Sequence, residues 1–143
     1  GPEREAIRAE AVRLGVGHRV HLPGHIARPA EVMGLFDLFA LSSDSEQFPI
    51  SVVEAMASGL AIAAPRVGDI QAMVSAENRD YLTPAGDDDA LSQTLAALAG
   101  NSDLRVRIGS ANRVRAEQEY DEAGMVSAYR KVYASAIGRT VFP

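Results

Sequence analysis

Two apolar runs, DLFALSS at 37–43 and LAIAAP at 60–65, enclose a segment rich in small residues, and this arrangement restricts the possible folds most. Neither run alternates apolar with polar side chains, so both read as strands buried on two faces. A helix is expected between them, over about 50–58. Strands joined through a helix run parallel, because a crossover returns the chain to the same end of the sheet. The pattern extends both ways. Upstream, RVHLP at 19–23 alternates and stops at Pro23-Gly24, and a short helix with Pro29 near its first turn is expected over 29–36. Downstream, a short helix over 69–75 leads to a strand near DYLTP, 80–84. About four parallel strands covered by helices, an α/β class, are predicted.

The flanks read as helices. Over 2–15, Ile7, Ala11 and Leu14 recur at i, i+4, i+7, and Gly15 and Gly17 close the segment. Asp87 to Asp89 open a helix with Leu91, Leu95 and Leu98 on one face, and their charge suits a helix N-terminus. A charged helix is expected over 102–119 and a strongly periodic one over 122–137. In the latter, Met125, Tyr129, Val132, Tyr133 and Ala136 share a face that reads as core.

Composition excludes several functions. The chain has 143 residues, about one domain, with 47% hydrophobic and 23% charged residues. A net charge of -5 argues against a nucleic-acid partner. The absence of cysteine rules out disulfides and thiolate metal sites. No apolar run reaches the roughly 20 residues of a transmembrane helix. His18, His21 and His25 are close in sequence but read as surface or loop residues, so no metal site is expected. Lys131 is the only lysine among 14 basic residues, which with the many alanines hints at a high-GC bacterial genome.

The chemistry-bearing stretch is SEQFPISVVEAMASG, 45–59. Asp44, Ser45 and Glu46 follow a strand and so lie beyond its C-terminal edge, where open α/β sheets bind ligands. Pro49 suits the first turn of a helix, where the N–H groups of Ile50 and Ser51 stay free for an anion. Ser51, Glu54 and Ser58 share one helical face. A carboxylate accepts several hydrogen bonds, which matches vicinal hydroxyls of a sugar. Glu46 and Glu54 therefore read as two hydroxyl ligands on either side of a bound phosphate. The competing reading makes Glu46 a solvated loop acid and pairs Glu54 with an arginine.

The segment FDLFALSSDSEQFPISVVEAMASGLAIAAPRVGDIQAMV resembles the signature region of the group 1 glycosyltransferases, also called glycosyltransferase family four. The resemblance extends over nearly the whole chain, from GPEREAIRAEAVRLGVGHRVHLPG to YRKVY. It implies a Rossmann-like parallel sheet with C-terminal helices, part of the C-terminal domain of the GT-B fold. It also implies retaining, metal-independent chemistry with a nucleoside-diphosphate sugar as donor and no cofactor. The family's two glutamates, separated by seven residues, match Glu46 and Glu54. By position, Glu46 is then the catalytic-site residue holding the donor sugar, and Glu54 holds the ribose hydroxyls. Backbone N–H groups just after Glu46 face sugar and diphosphate; Pro49 offers none, which leaves those of Phe48 and Ile50, and Gln47 and Pro49 belong to the same donor-binding stretch. Gln47 and Pro49 stand where glycine is common, and Phe48 matches the family's aromatic. Gly24 and His25 correspond to a segment near the nucleobase. The resemblance implies a cytoplasmic protein, or one peripheral to the inner membrane face.

The family's domain begins with two further strands and a helix carrying an arginine and a lysine for the diphosphate, and an N-terminal acceptor domain precedes it. None of these is found in the sequence, so residues 1–143 are expected to be a partial donor-binding domain, inactive alone. Lys131, in the last helix, does not substitute by position. With strand order 3-2-1-4-5-6, the strand at 19–23 is cut off and DLFALSS gains an open edge. Self-association or local re-pairing is expected to close the gap. The alternatives are a non-catalytic nucleotide-sugar binding module, a GT-B sugar-nucleotide epimerase, and an α/β interaction domain without a ligand.

Overall fold

The computed structural model describes residues 2–140. In chain order it contains α1 (Arg4–Arg13), α2 (Ala30–Met33), β1 (Phe39–Ala40), α3 (Ile50–Ala57), β2 (Ile62–Pro65), α4 (Ile70–Met73), β3 (Leu82–Thr83), α5 (Asp88–Ala99), α6 (Ser102–Glu119) and α7 (Glu122–Ala136). Short 3-10 turns occupy Gly17–Arg19 and Ala76–Tyr81.

The three strands form a parallel sheet in the order β1-β2-β3, with Phe39 opposite Ile62 and Ala64 opposite Leu82. LAIAAP is buried throughout, as its pattern predicts. Successive β2 side chains point to opposite faces. Ile62 and Ala64 join Val52, Met56, Ile70 and Met73 on one side. Ala61 and Ala63 meet Leu98 and Ile108 on the other. The sheet is thus covered on both faces, as in a Rossmann-like domain.

β3 is too short to pair the whole of β2, and an asparagine completes the edge. The Ile62 N–H donates to Asn78 Oδ1, and Asn78 Nδ2 donates to the Ile62 carbonyl, both at 2.8 Å. The Asn78 amide thereby takes the place of a strand residue. Asn112 on α6 holds it there. Its Nδ2 donates to Asn78 Oδ1 at 2.8 Å and to the Leu60 carbonyl at 2.9 Å, while its Oδ1 accepts from the Ser75 N–H at 3.0 Å. Both asparagines are fully buried, so every one of these bonds replaces lost hydration.

α6 lies close enough to the end of α3 that a Cβ at Gly109 would overlap the Gly59 carbonyl. α3 ends with Leu60 N–H on Ala55 O and Gly59 N–H on Met56 O, Gly59 having φ +77. This is the Schellman pattern, which glycine accepts without strain. Asp87, Asn101 and Asp121 cap α5, α6 and α7 through their side chains, so the run of aspartates at 87–89 has a structural cause.

Four expectations need correction. The sheet has three strands among the described residues, not four: 20–26 is unpaired coil, tied down by Arg4 Nη2 donating to the Leu22 carbonyl at 2.6 Å. Among the described residues it has no neighbouring strand to pair with, and no local re-pairing supplies one. DLFALSS is strand only at Phe39–Ala40 and is partly exposed, because β1 is the sheet's edge. The helix expected over 29–36 is only Ala30–Met33, with Leu35 and Phe36 exposed. The periodic face of α7 is not core: Met125, Tyr129, Val132 and Tyr133 are 52 to 64% exposed, and Ala134 is the helix's buried residue. Periodicity reports amphipathicity, and no other described element packs extensively on this helix.

Candidate functional site

β1 delivers the chain to the C-terminal edge of the sheet, and residues 41–49 form the loop that carries Glu46. Pro49 stands one position earlier than expected, at the N-cap of α3, with φ -70 and ψ 109. Its carbonyl accepts the first returning bond, from the Val52 N–H at 3.0 Å. The N–H groups of Phe48, Ile50 and Ser51 meet no acceptor among the described residues, as a helix start leaves them. Glu54 follows one turn later, between Ser51 and Ser58, all three partly exposed.

Neither glutamate makes an ion pair or a side-chain hydrogen bond among the described residues. The arginines at 8, 13, 28, 105 and 113 pair with other acids. The reading that gives Glu54 an arginine partner therefore fails. Two carboxylates stand with their acceptor capacity unused, on either side of a helix start with unused donors. Phe48 is held from one side by an edge-on contact with Tyr120, ring centres 5.6 Å apart and planes at 74°. The Tyr120 hydroxyl donates to the Met73 carbonyl at 3.2 Å, and Arg115 Nε donates to the same atom at 2.8 Å.

The loop is also braced from below by the turn after β2. The Asp69 N–H donates to the Gln47 carbonyl at 2.8 Å. At Gly68, whose φ is +54, a Cβ would overlap the Glu46 carbonyl and lie 2.6 Å from that of Gln47. Sequence reading placed a strand and a helix around this glycine but had no signal for its contact with the loop. Tyr120, Asn78 and Asn112 were missed for the same reason: each acts through a partner more than 10 residues away.

Glu46, Gln47, Phe48 and Pro49 follow one another on the loop beyond the sheet edge, and Ile50 and Glu54 lie in the first turns of α3. Gly24 and His25 lie apart from these in sequence and in bonding. They border a groove of about 460 Å³ with Glu3, Arg4, Ile7 and Leu22, and no hydrogen bond among the described residues joins them to the Glu46 loop. His18 sits in the first 3-10 turn and His21 in the following coil.

Comparison with known proteins bears on the family and the fold. The chain is 31% identical over 136 residues to D-inositol 3-phosphate glycosyltransferase of Corynebacterium efficiens, covering 92% of this chain and 31% of that protein. It is 28% identical over 133 residues to N-acetyl-alpha-D-glucosaminyl L-malate synthase of Bacillus anthracis, covering 93% and 35%. Among solved structures, sucrose-phosphate synthase from Thermosynechococcus elongatus superposes with a TM-score of 0.81 at 26% identity, over 94% of this chain and 35% of that one. Anabaena Alr3699/HepE, solved in complex with UDP, shares the fold with a TM-score of 0.85 at 24% identity. The chain spans about a third of the length of the curated relatives it matches. The family model described as glycosyl transferases group 1 matches residues 1–115, most of the chain, and the chain belongs to that family.

Proposed function

We propose that residues 1–143 are part of the donor-binding domain of a retaining glycosyltransferase, which moves a sugar from a nucleoside-diphosphate sugar to an acceptor without a bound metal. The observation that carries this reading is the pair of unpartnered carboxylates flanking the unpaired N–H groups at the start of α3. Glu46 holds hydroxyls of the donor sugar at the reacting centre. Glu54 holds the ribose hydroxyls. The N–H groups of Gln47, Phe48 and Ile50 face the diphosphate and stabilise its charge as the glycosidic bond breaks. Neither glutamate serves as a nucleophile or proton donor. Acceptor recognition and the basic pair for the diphosphate are assigned to chain preceding residue 1. The family resemblance supports a location in the cytoplasm or at the inner membrane face. No described helix is long and apolar enough to cross a membrane.

Calorimetric titration of the chain with UDP, GDP and ADP tests the reading. One of the three is expected to bind, and Glu54→Ala to weaken it at least about tenfold, the loss of a charged hydrogen-bond pair. Glu46→Ala is expected to leave the nucleoside diphosphate unaffected and to weaken the corresponding nucleotide sugar. A folded chain that binds none of the three overturns the proposal.

A further inference from the structure

We propose that the turn Val67–Gly68–Asp69 is a positioning device for the donor diphosphate, acting through the peptide groups of the Glu46 loop. The proposal rests on the reading of that loop as a nucleotide-sugar site and assigns to Gly68 and Asp69 a role in it.

Two successive carbonyls, those of Glu46 and Gln47, converge on the Gly68–Asp69 turn. All described peptides are trans, and in a trans peptide the N–H points opposite to the C=O. With the Glu46 carbonyl turned to Gly68, the Gln47 N–H points away from it. With the Gln47 carbonyl held by the Asp69 N–H, the Phe48 N–H does the same. Two consecutive N–H groups therefore face one side together, an arrangement that forms an anion-attracting concavity. Electrostatics makes the orientation matter. A carbonyl oxygen facing a diphosphate repels it, whereas an N–H attracts it. By turning both acceptors onto the brace, the loop hides its partial negative charge and presents donors.

Residue 68 admits glycine for two separate reasons. Its φ of +54 lies in the left-handed region, which disfavours side chains. The place a Cβ would take is also occupied by both carbonyls, so that any side chain would push them off. The second reason ties the residue to function: a displaced carbonyl rotates its peptide and swings the N–H off the ligand. Gly138, with φ +66 and nothing near a built Cβ, carries only the first constraint. It provides the matched control.

NMR titration of the isotope-labelled chain tests this. The ligands are the best binder among UDP, GDP and ADP, and its parent nucleoside. In the unsubstituted chain, the Asp69 N–H should show through-bond coupling to the Gln47 carbonyl. The Gln47 and Phe48 amides should shift with the diphosphate and not with the nucleoside. Gly68→Ala should lower the ratio of diphosphate to nucleoside affinity at least about tenfold, the worth of one charge-assisted bond. Glu54→Ala should weaken both ligands and keep the ratio. Gly138→Ala should change neither.

A folded Gly68→Ala chain with an unchanged ratio overturns the positioning role and leaves the site reading intact. An unsubstituted chain that binds no diphosphate overturns the site reading first. If Gly68→Ala does not fold, the unsubstituted chain decides: a missing Asp69–Gln47 coupling, or unmoved Gln47 and Phe48 amides, overturns the proposal.

Discussion

At the scale of single residues, the buried asparagine pair carries more consequence than its size suggests. Asn112 satisfies the Ser75 N–H, the Leu60 carbonyl and Asn78 at once. Asn112→Ala strands these groups in a dry interior, and a loss of about 2–4 kcal/mol is expected by denaturant titration. Asn78→Asp should fail in a pH-dependent way. Its carboxylate would face the Ile62 carbonyl, which now accepts a bond from the side-chain amide. The protonated acid can donate there, so the folded state raises this carboxyl's pKa above the unfolded value of about 3.9. The variant's stability relative to the parent chain should be greatest below that value and fall as pH rises through the raised folded pKa. Thermal melts of both proteins from pH 4 to 7 would show this, and a difference independent of pH would contradict it.

At the scale of elements, contacts between helices and the sheet are set by how closely backbones approach. Gly109→Ala would drive a methyl group into the Gly59 carbonyl and lever α6 away from α3. A loss of at least about 1–3 kcal/mol is expected in thermal or chemical unfolding, although alanine favours the helix itself. Asp87→Ala, which removes the bond to the Ala90 N–H at 2.9 Å, should cost about 1 kcal/mol. Helices with caps and periodic faces were legible in the sequence: α5 falls where Asp87 and the leucine spacing put it, and α6 over the charged run at 102–119. LAIAAP was legible because a central strand is apolar regardless of what covers it. The edge was not. RVHLP has a strand's alternation but no neighbour, and a strand exists only as part of a pair. The site was half legible: Glu46, Glu54 and the free helix start follow from local pattern. The brace by Gly68 and Asp69 does not, because nothing local signals a contact between two loops.

At the scale of the molecule, apolar surface is left uncovered on both flanks. Ile7 on α1 and Leu14 at its C-cap, and Met125, Tyr129 and Val132 on α7, are exposed, and β1 leaves one sheet edge open among the described residues. Exposed apolar side chains grouped on helix faces, beside an open strand edge, favour association. Sedimentation equilibrium should therefore show an average mass that rises with concentration, and Val132→Glu should lower it. A monomer at all concentrations would remove self-association as the means of covering these faces. The asparagine bridge sets a further condition, one of time. Asn112 bonds the Leu60 carbonyl from 52 residues further along the chain. At a synthesis rate of about 5–20 residues per second, β2 would wait roughly 3 to 10 s for the residue that locks Asn78 against its edge. During that interval the edge of the central strand is held only by an unlocked Asn78 and the two residues of β3, which leaves the nascent chain exposed to competing strands.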